Sequence, residues 1–138
     1  MSESDSWQYV ERARHGVFGT VHSQRGVDLV PVVYAVADQT VFIPVDTVKD
    51  KTTTGLQRLA NLSNDPRCTL LVDSYDDDWT RLWWVRVNGE GRVAILSEAK
   101  RFRHLLADRY PQYADPATIE LGIVLTPTGV TGWRAAAG

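Results

Sequence analysis

Apolar and polar positions change their period several times along the chain, and each change marks an element. Near the start, Trp7, Val10 and Arg14 recur at helical spacing behind Asp5, a candidate N-cap with Gln8 three residues on. Residues 17–22 then take the pattern of a strand, Gln24-Arg25-Gly26 that of a turn, and 27–36, rich in β-branched residues, that of a second strand. Asp38-Gln39 turns the chain into a third strand over 40–45. A helix is expected at 53–62, with Leu56, Leu59, Ala60 and Ser63 on one face and Asn64-Asp65-Pro66 ending it. Residues 67–74 form a strand around CTLLV, Asp76-Asp77-Asp78 a solvated turn, and 82–95 a long strand interrupted at Asn88-Gly89-Glu90-Gly91. Ser97 is expected to cap a helix that turns Ala99, Phe102, Leu106 and Tyr110 inward. Residues 119–125 and 130–134 read as closing strands around a Pro127-Thr128-Gly129 turn. Six or seven strands with two or three short helices predict a mainly β fold, a small barrel whose closure removes exposed edges.

Length and charge narrow the function. A chain of 138 residues suits one domain, spanning 1–138. Fifteen basic residues against seventeen acidic ones lack the basic excess of a general nucleic-acid binder. No apolar stretch approaches the ~18 residues of a membrane span, and the polar start MSESDSWQ is unlike a signal peptide. The expected setting is the cytoplasm. Cys68 is the only cysteine, so neither an intramolecular disulfide nor a cysteine-based zinc site is available. Inside an apolar strand it reads as a buried structural thiol.

Most catalytic signatures are missing. There is no Walker-type loop and no Gly-x-Ser-x-Gly, and Gly89-x-Gly91 lacks the third glycine of a dinucleotide fingerprint. His15, His22 and His104 have no metal-ligand spacing, so no metal site is expected. With no protein nucleophile in view, the chemistry points to a cofactor.

Three stretches carry candidate chemistry. In PVDTVKDKTTTGL, Lys49, Lys51 and Thr52–Thr54 precede or open a helix, whose free N–H groups and dipole favour anions. A phosphate cradle and a solvated loop with a threonine cap both fit. In DSYDDDWTRLWWVR, three tryptophans fall within six residues. On a strand, Trp79, Arg81 and Trp83 would share one face, suited to a planar ligand or a protein interface, or simply a covered rim. In LVPVVY, Pro31 interrupts a strand and marks an edge, a bulge or a ligand-facing gap.

In this order the stretches GTVHSQRGVDLVPVVYAV, VFIPVDTVKDKTTTGLQRLANLSNDPRCTLLVD and DDDWTRLWWVRVNGEGRV resemble the pyridoxamine-phosphate-oxidase-like split-barrel superfamily. The last is similar to its actinobacterial branch that uses the deazaflavin coenzyme F420. The resemblance covers residues 10–96 and implies a six-stranded antiparallel split barrel that forms a homodimer with two cofactor sites at its interface. It implies that Lys51 binds the cofactor phosphate with Lys49, Thr52 and Thr53, and that Pro44 and Val45 pass beside the ring. Residues 31–33 would line the ring pocket, while Trp79 and Arg81 would arrive from the partner subunit. The implied activity is hydride transfer between F420 and a small electron-poor substrate; FMN in the same fold, or binding of F420 without turnover, are the alternatives. The arginine-rich C-terminal segment of true pyridoxamine phosphate oxidases has no counterpart in GVTGWRAAAG, so vitamin B6 oxidation is not expected. No catalytic acid is assigned; a bound water, Tyr34 or Tyr75 are the candidates for proton delivery.

Overall fold

Ser2, rather than Asp5, opens the first helix. Its hydroxyl accepts the Asp5 backbone N–H at 3.0 Å, and α1 (Glu3–Arg12) lays Trp7 and Val10 into the core. The computed structural model describes residues 1–45, 52–114 and 121–136, and for 52–56 and 96 the backbone alone.

Seven strands form one antiparallel sheet: β1 (Gly16–His22), β2 (Gly26–Val32), β3 (Ala35–Ala37), β4 (Thr40–Val45), β5 (Arg67–Ser74), β6 (Trp83–Val93) and β7 (Leu121–Arg134). Their order is β2-β1-β5-β6-β7-β4-β3. The expected six-stranded closed barrel is corrected on both counts. The sheet has seven strands, and β2 and β3 remain as edges that do not pair with each other.

The additional strand comes from a break in the run expected at 27–36. Tyr34 is fully buried, and its hydroxyl donates to the Val10 carbonyl at the end of α1, 2.5 Å away. Anchoring there takes the chain off β1 after Val32 and across to β4, where Ala35 faces Phe42. Asp38 and Gln39 close the β3–β4 hairpin with φ of 51° and 56°, the left-handed pair that a tight two-residue turn requires. At the other end of the chain, the two closing strands are one. β7 runs through Pro127-Thr128-Gly129 unbroken, pairing with β6 along its length and with β4 over its first five residues. The irregularity expected near Asn88 is a register shift between Asn88 and Gly89.

Strand β4 is buried on both faces. Val41, Ile43 and Val45 join Phe18, Leu70, Val72, Val85, Val87, Ile123 and Leu125 in the main core. Phe42 points the other way, into a second cluster with Val124 and the inward residues of α3 (Leu96–Arg109). There Phe42 and Phe102 stack at 4.2 Å, 3° from parallel. Such a pair contributes ~0.5–1.5 kcal/mol beyond the area it buries. Gly122 allows this approach, since a Cβ there would sit 2.1 Å from the Phe42 ring. The expected inward set of α3 is correct, but its cap is not Ser97. Glu98 reaches back to the Ile95 backbone N–H at 3.0 Å and holds Arg92 at 2.7 Å. Helix α2 (Thr52–Asn64) buries Asn61 and Leu62, while Ala60 and Ser63 are exposed, so its inward face is rotated from the one expected.

Candidate functional site

Where β2 and β3 separate, a groove of ≈ 350 Å³ opens between Pro31, Val32, Val33, Pro44, His15, Arg58 and Tyr113. Two prolines stand in its wall. β2 is an edge strand, a position that tolerates a proline such as Pro31. β3 pairs with β4 only as far as Phe42, so Pro44 lies where β4 has β7 alone as neighbour. The wall near the prolines is apolar and short of N–H donors, a surface suited to the flat face of a ring.

The groove's end is fixed by a knot of tyrosines and arginines. Tyr110 donates its hydroxyl to the Arg14 carbonyl at 2.6 Å, and Arg14 donates to the Arg109 carbonyl at 2.9 Å. The Arg109 guanidinium lies over both the Tyr34 and Tyr110 rings. Tyr113 meets Tyr110 edge-on at 6.3 Å. These contacts tie the end of α1, the β2–β3 break and the end of α3 together, beside His15 and Tyr113 in the groove's lining. Tyr34 is removed as a proton source. It is sealed under α1, and burial drives its hydroxyl well above the ordinary tyrosine range. Tyr75 is exposed and is not among the groove's lining residues.

Among the described residues that line this wall, Arg58 is the only arginine, lysine or carboxylate. Its Nε is buried and has no hydrogen-bond partner among the described residues, and burial lowers its guanidinium from its usual value. It also lines an adjoining groove with Arg25, Asp28 and Gln57. There the Asp28 carboxylate is already taken, by Arg25 at 2.8 and 3.0 Å and by Asn61 at 2.8 Å. Those bonds hold it below the ordinary carboxylate range, Arg25 contributing most. Asn61 also donates to Thr20 Oγ1 at 2.9 Å and accepts from Gln57 Nε2 at 2.8 Å. This network clamps α2 onto the β1–β2 hairpin and so sets the position of Arg58.

Of the residues expected at a site, the structure brings 31–33 and Pro44 together in one groove. Val45 is buried in the main core behind Pro44. Thr52 and Thr53 open α2, while Lys49 and Lys51 lie outside the described residues. Trp79 and Arg81 do not share a strand face with Trp83. The Asp78 carboxylate accepts the Thr80 N–H at 3.1 Å and winds Trp79–Arg81 into a 3-10 turn. Trp83 begins β6 and packs on Tyr9 at 4.6 Å, against the core. Trp79 is 69% exposed, and Arg81, 3.7 Å from Asp76, borders a separate groove with Tyr9, Trp83 and Arg134. Sequence reasoning missed Arg58, His15 and Tyr113. Arg58 lies three positions before Asn61 and so on the same helix face, but that face is inward only in the folded structure and differs from the one the sequence pattern marks.

The outer side of the sheet is also unusually apolar. Val27 and Leu29 on β2 are exposed, and with Val17, Val21 and Leu71 they border a shallow groove of ≈ 750 Å³. Trp84 and Trp133 face each other across β6 and β7, with Arg86 over the Trp84 ring. No group of histidine, cysteine, aspartate or glutamate among the described residues is arranged to hold a metal ion. Nor is any of their helices long and apolar enough to cross a membrane.

Comparison with known proteins gives one family. The sequence profile described as pyridoxamine 5′-phosphate oxidase matches residues 7–134. No curated protein sequence matches the chain. Among solved structures, a conserved hypothetical protein of Mycobacterium tuberculosis superposes with a TM-score of 0.77 at 21% identity, over 97% of this chain and 85% of its own. An FAD binding protein of Mycobacterium smegmatis gives 0.65 at 18%, over 98% and 96%. A heme storage protein of Vibrio cholerae gives 0.70 at 9%, over 94% and 92%. At these identities the likeness is one of fold.

Proposed function

This chain belongs to the pyridoxamine 5′-phosphate oxidase family, and on that premise we propose that it is an oxidoreductase built around a flavin-type ring, coenzyme F420 in the finer reading. The observation that carries the proposal is the groove between 31–33, Pro44 and Arg58. Its volume lies within the range of small-molecule pockets. Its walls offer a flat apolar face and an arginine whose buried Nε has no partner among the described residues, which fits a planar ring with polar carbonyl edges.

When bound, such a ring supplies hydride transfer with a small electron-poor substrate. The chain's own residues bind, orient and exclude water. Pro31, Val33 and Pro44 would cover the ring face, and Val45 would stiffen Pro44 from behind. Lys49, Lys51, Thr52 and Thr53 would hold the phosphate at the start of α2, where backbone N–H groups and the helix dipole favour an anion. His15 and Tyr113 are polar groups in the groove's lining, in place of the excluded Tyr34. The groove is open on one side, so a second wall is part of the proposal: a homodimer, joined through the apolar outer sheet face, whose partner contributes Trp79 and Arg81 to each site. Exposed apolar surface of this kind marks a protein contact.

The stretch DDDWTRLWWVR favours F420, whereas the fold shared with an FAD binding protein favours FMN as the second reading. Purification from a host that makes FMN but no deazaflavin separates them. A colourless protein that takes up added F420 in preference to FMN supports the finer reading. Stoichiometric FMN supports the second reading, and a bound chromophore with a heme Soret band overturns both. Cofactor binding without oxidation of the reduced cofactor by any of a panel of quinones and nitroaromatics supports a carrier instead.

A further inference from the structure

We infer that Arg58 takes the electron-rich carbonyl edge of the bound ring, fixing its orientation independently of the phosphate loop. This deepens the ring-binding reading and rests on it. A guanidinium carries five N–H donors and accepts none, and it remains charged in proteins. In the folded chain the Nε donor is buried without a partner among the described residues. The carboxylate in the adjoining groove is no counter-charge, since Arg25 and Asn61 occupy it. The folded protein therefore holds a partly desolvated cation whose Nε donor is left unanswered by the described residues.

The surroundings identify an acceptor for it. The proline and valine side chains beside it supply no competing hydrogen bonds and lower the local dielectric, which strengthens any contact Arg58 makes. Phosphate is better served where backbone N–H groups converge, at Thr52 and Thr53. Arg58 is six residues further along α2, about 9 Å at 1.5 Å per residue. One helix thus presents two anion-seeking points, more than one turn apart. The Gln57–Asn61–Thr20 bonds hold this stretch of α2 in place before any ligand arrives.

The test uses paired probes that differ in the phosphate-bearing tail: riboflavin with FMN, and 8-hydroxy-5-deazariboflavin with F420. In fluorescence titrations, Arg58→Gln is expected to weaken both members of the pair that the wild-type protein binds, by about ten- to a hundred-fold. Lys51→Ala should weaken only the phosphate-bearing member. Arg58→Lys, which keeps the charge, should recover part of the loss, and melting curves confirm that each variant is folded. A second readout is the midpoint potential of the bound ring. Were Arg58 to favour the reduced ring tenfold, its loss would lower the potential by about 30 mV for a two-electron couple. Unchanged affinity for both probes in Arg58→Gln, or loss of the phosphate-bearing probe alone, overturns the inference while leaving ring binding intact. A wild-type protein that binds neither pair overturns the ring-binding reading itself, and this inference with it.

Discussion

Replacing Asn61 with alanine should loosen the clamp between α2 and the β1–β2 hairpin. Asn61 and Thr20 are almost completely buried, and the bond between them is 2.9 Å long. Its loss removes about 1 kcal/mol of net hydrogen bonding and leaves the Thr20 hydroxyl buried without that partner, at ~1–3 kcal/mol. The Asn61–Asp28 bond lies nearer solvent and is left out, so the expected destabilisation is about 2–4 kcal/mol. For 138 residues, an unfolding entropy near 2.1 cal/mol/K per residue gives about 0.29 kcal/mol/K, and hence a fall in Tm of about 7–14 °C. Calorimetry reads this directly. The decisive companion is Thr20→Val, which removes the hydroxyl with little change in shape. Combined with Asn61→Ala, it should cost less than the two single changes added, by about 1 kcal/mol, because no orphaned hydroxyl remains. A fall below 2 °C in Asn61→Ala, or strict additivity in the pair, would refute the reasoning.

Gly122→Ala brings a methyl within 2.1 Å of the Phe42 ring, and overpacking should cost about 1–3 kcal/mol in a denaturant titration. An equal or higher midpoint would show that the Phe42–Phe102 stack yields freely. Glu98, held by Arg92 and the Ile95 N–H, has its carboxyl lowered from 4.5 to about 2. Its stabilising contribution is therefore complete above 4.5 and lost as pH falls through about 2. The difference in Tm between wild type and Glu98→Gln should be constant above pH 5 and shrink toward pH 2; a gap that widens on acidification contradicts the pairing. Cys68 is buried, and its thiol is pushed up to about 12, chiefly by desolvation. An aromatic disulfide reagent should leave it unmodified at pH 8 in the native protein and react once denaturant is added. Rapid native labelling would place it at the surface.

Much of the frame was legible because strand and turn chemistry are local. Arg67–Ser74 agrees residue for residue, and the inward set of α3 follows from simple periodicity. Errors fall where a tertiary contact overrides the local pattern. Tyr34 is a good strand residue, yet its bond to the Val10 carbonyl breaks the run at 27–36. Pro127-Thr128-Gly129 has the composition of a turn, but β6 runs alongside and holds it extended. At the candidate site, Pro31 was visible because a proline in a strand needs a reason, whereas Pro44 was implied only by the family resemblance. Arg58 was hidden in an ordinary helical sequence. Its meaning comes from the absence of a partner, and no single sequence displays that.

The placement of β7 carries a consequence for biosynthesis. β3 and β4 reach the rest of the sheet only through β7, which sets position 42 beside position 124. Until β7 leaves the ribosome, the Thr40–Val45 segment has a bare edge and apolar side chains on both faces. Such an edge is a template for pairing with other chains, and closing so long a loop is slow. The nascent chain is therefore most exposed to aggregation until β7 has emerged. Chaperones that cover strand edges should matter more for its yield than its finished stability would indicate.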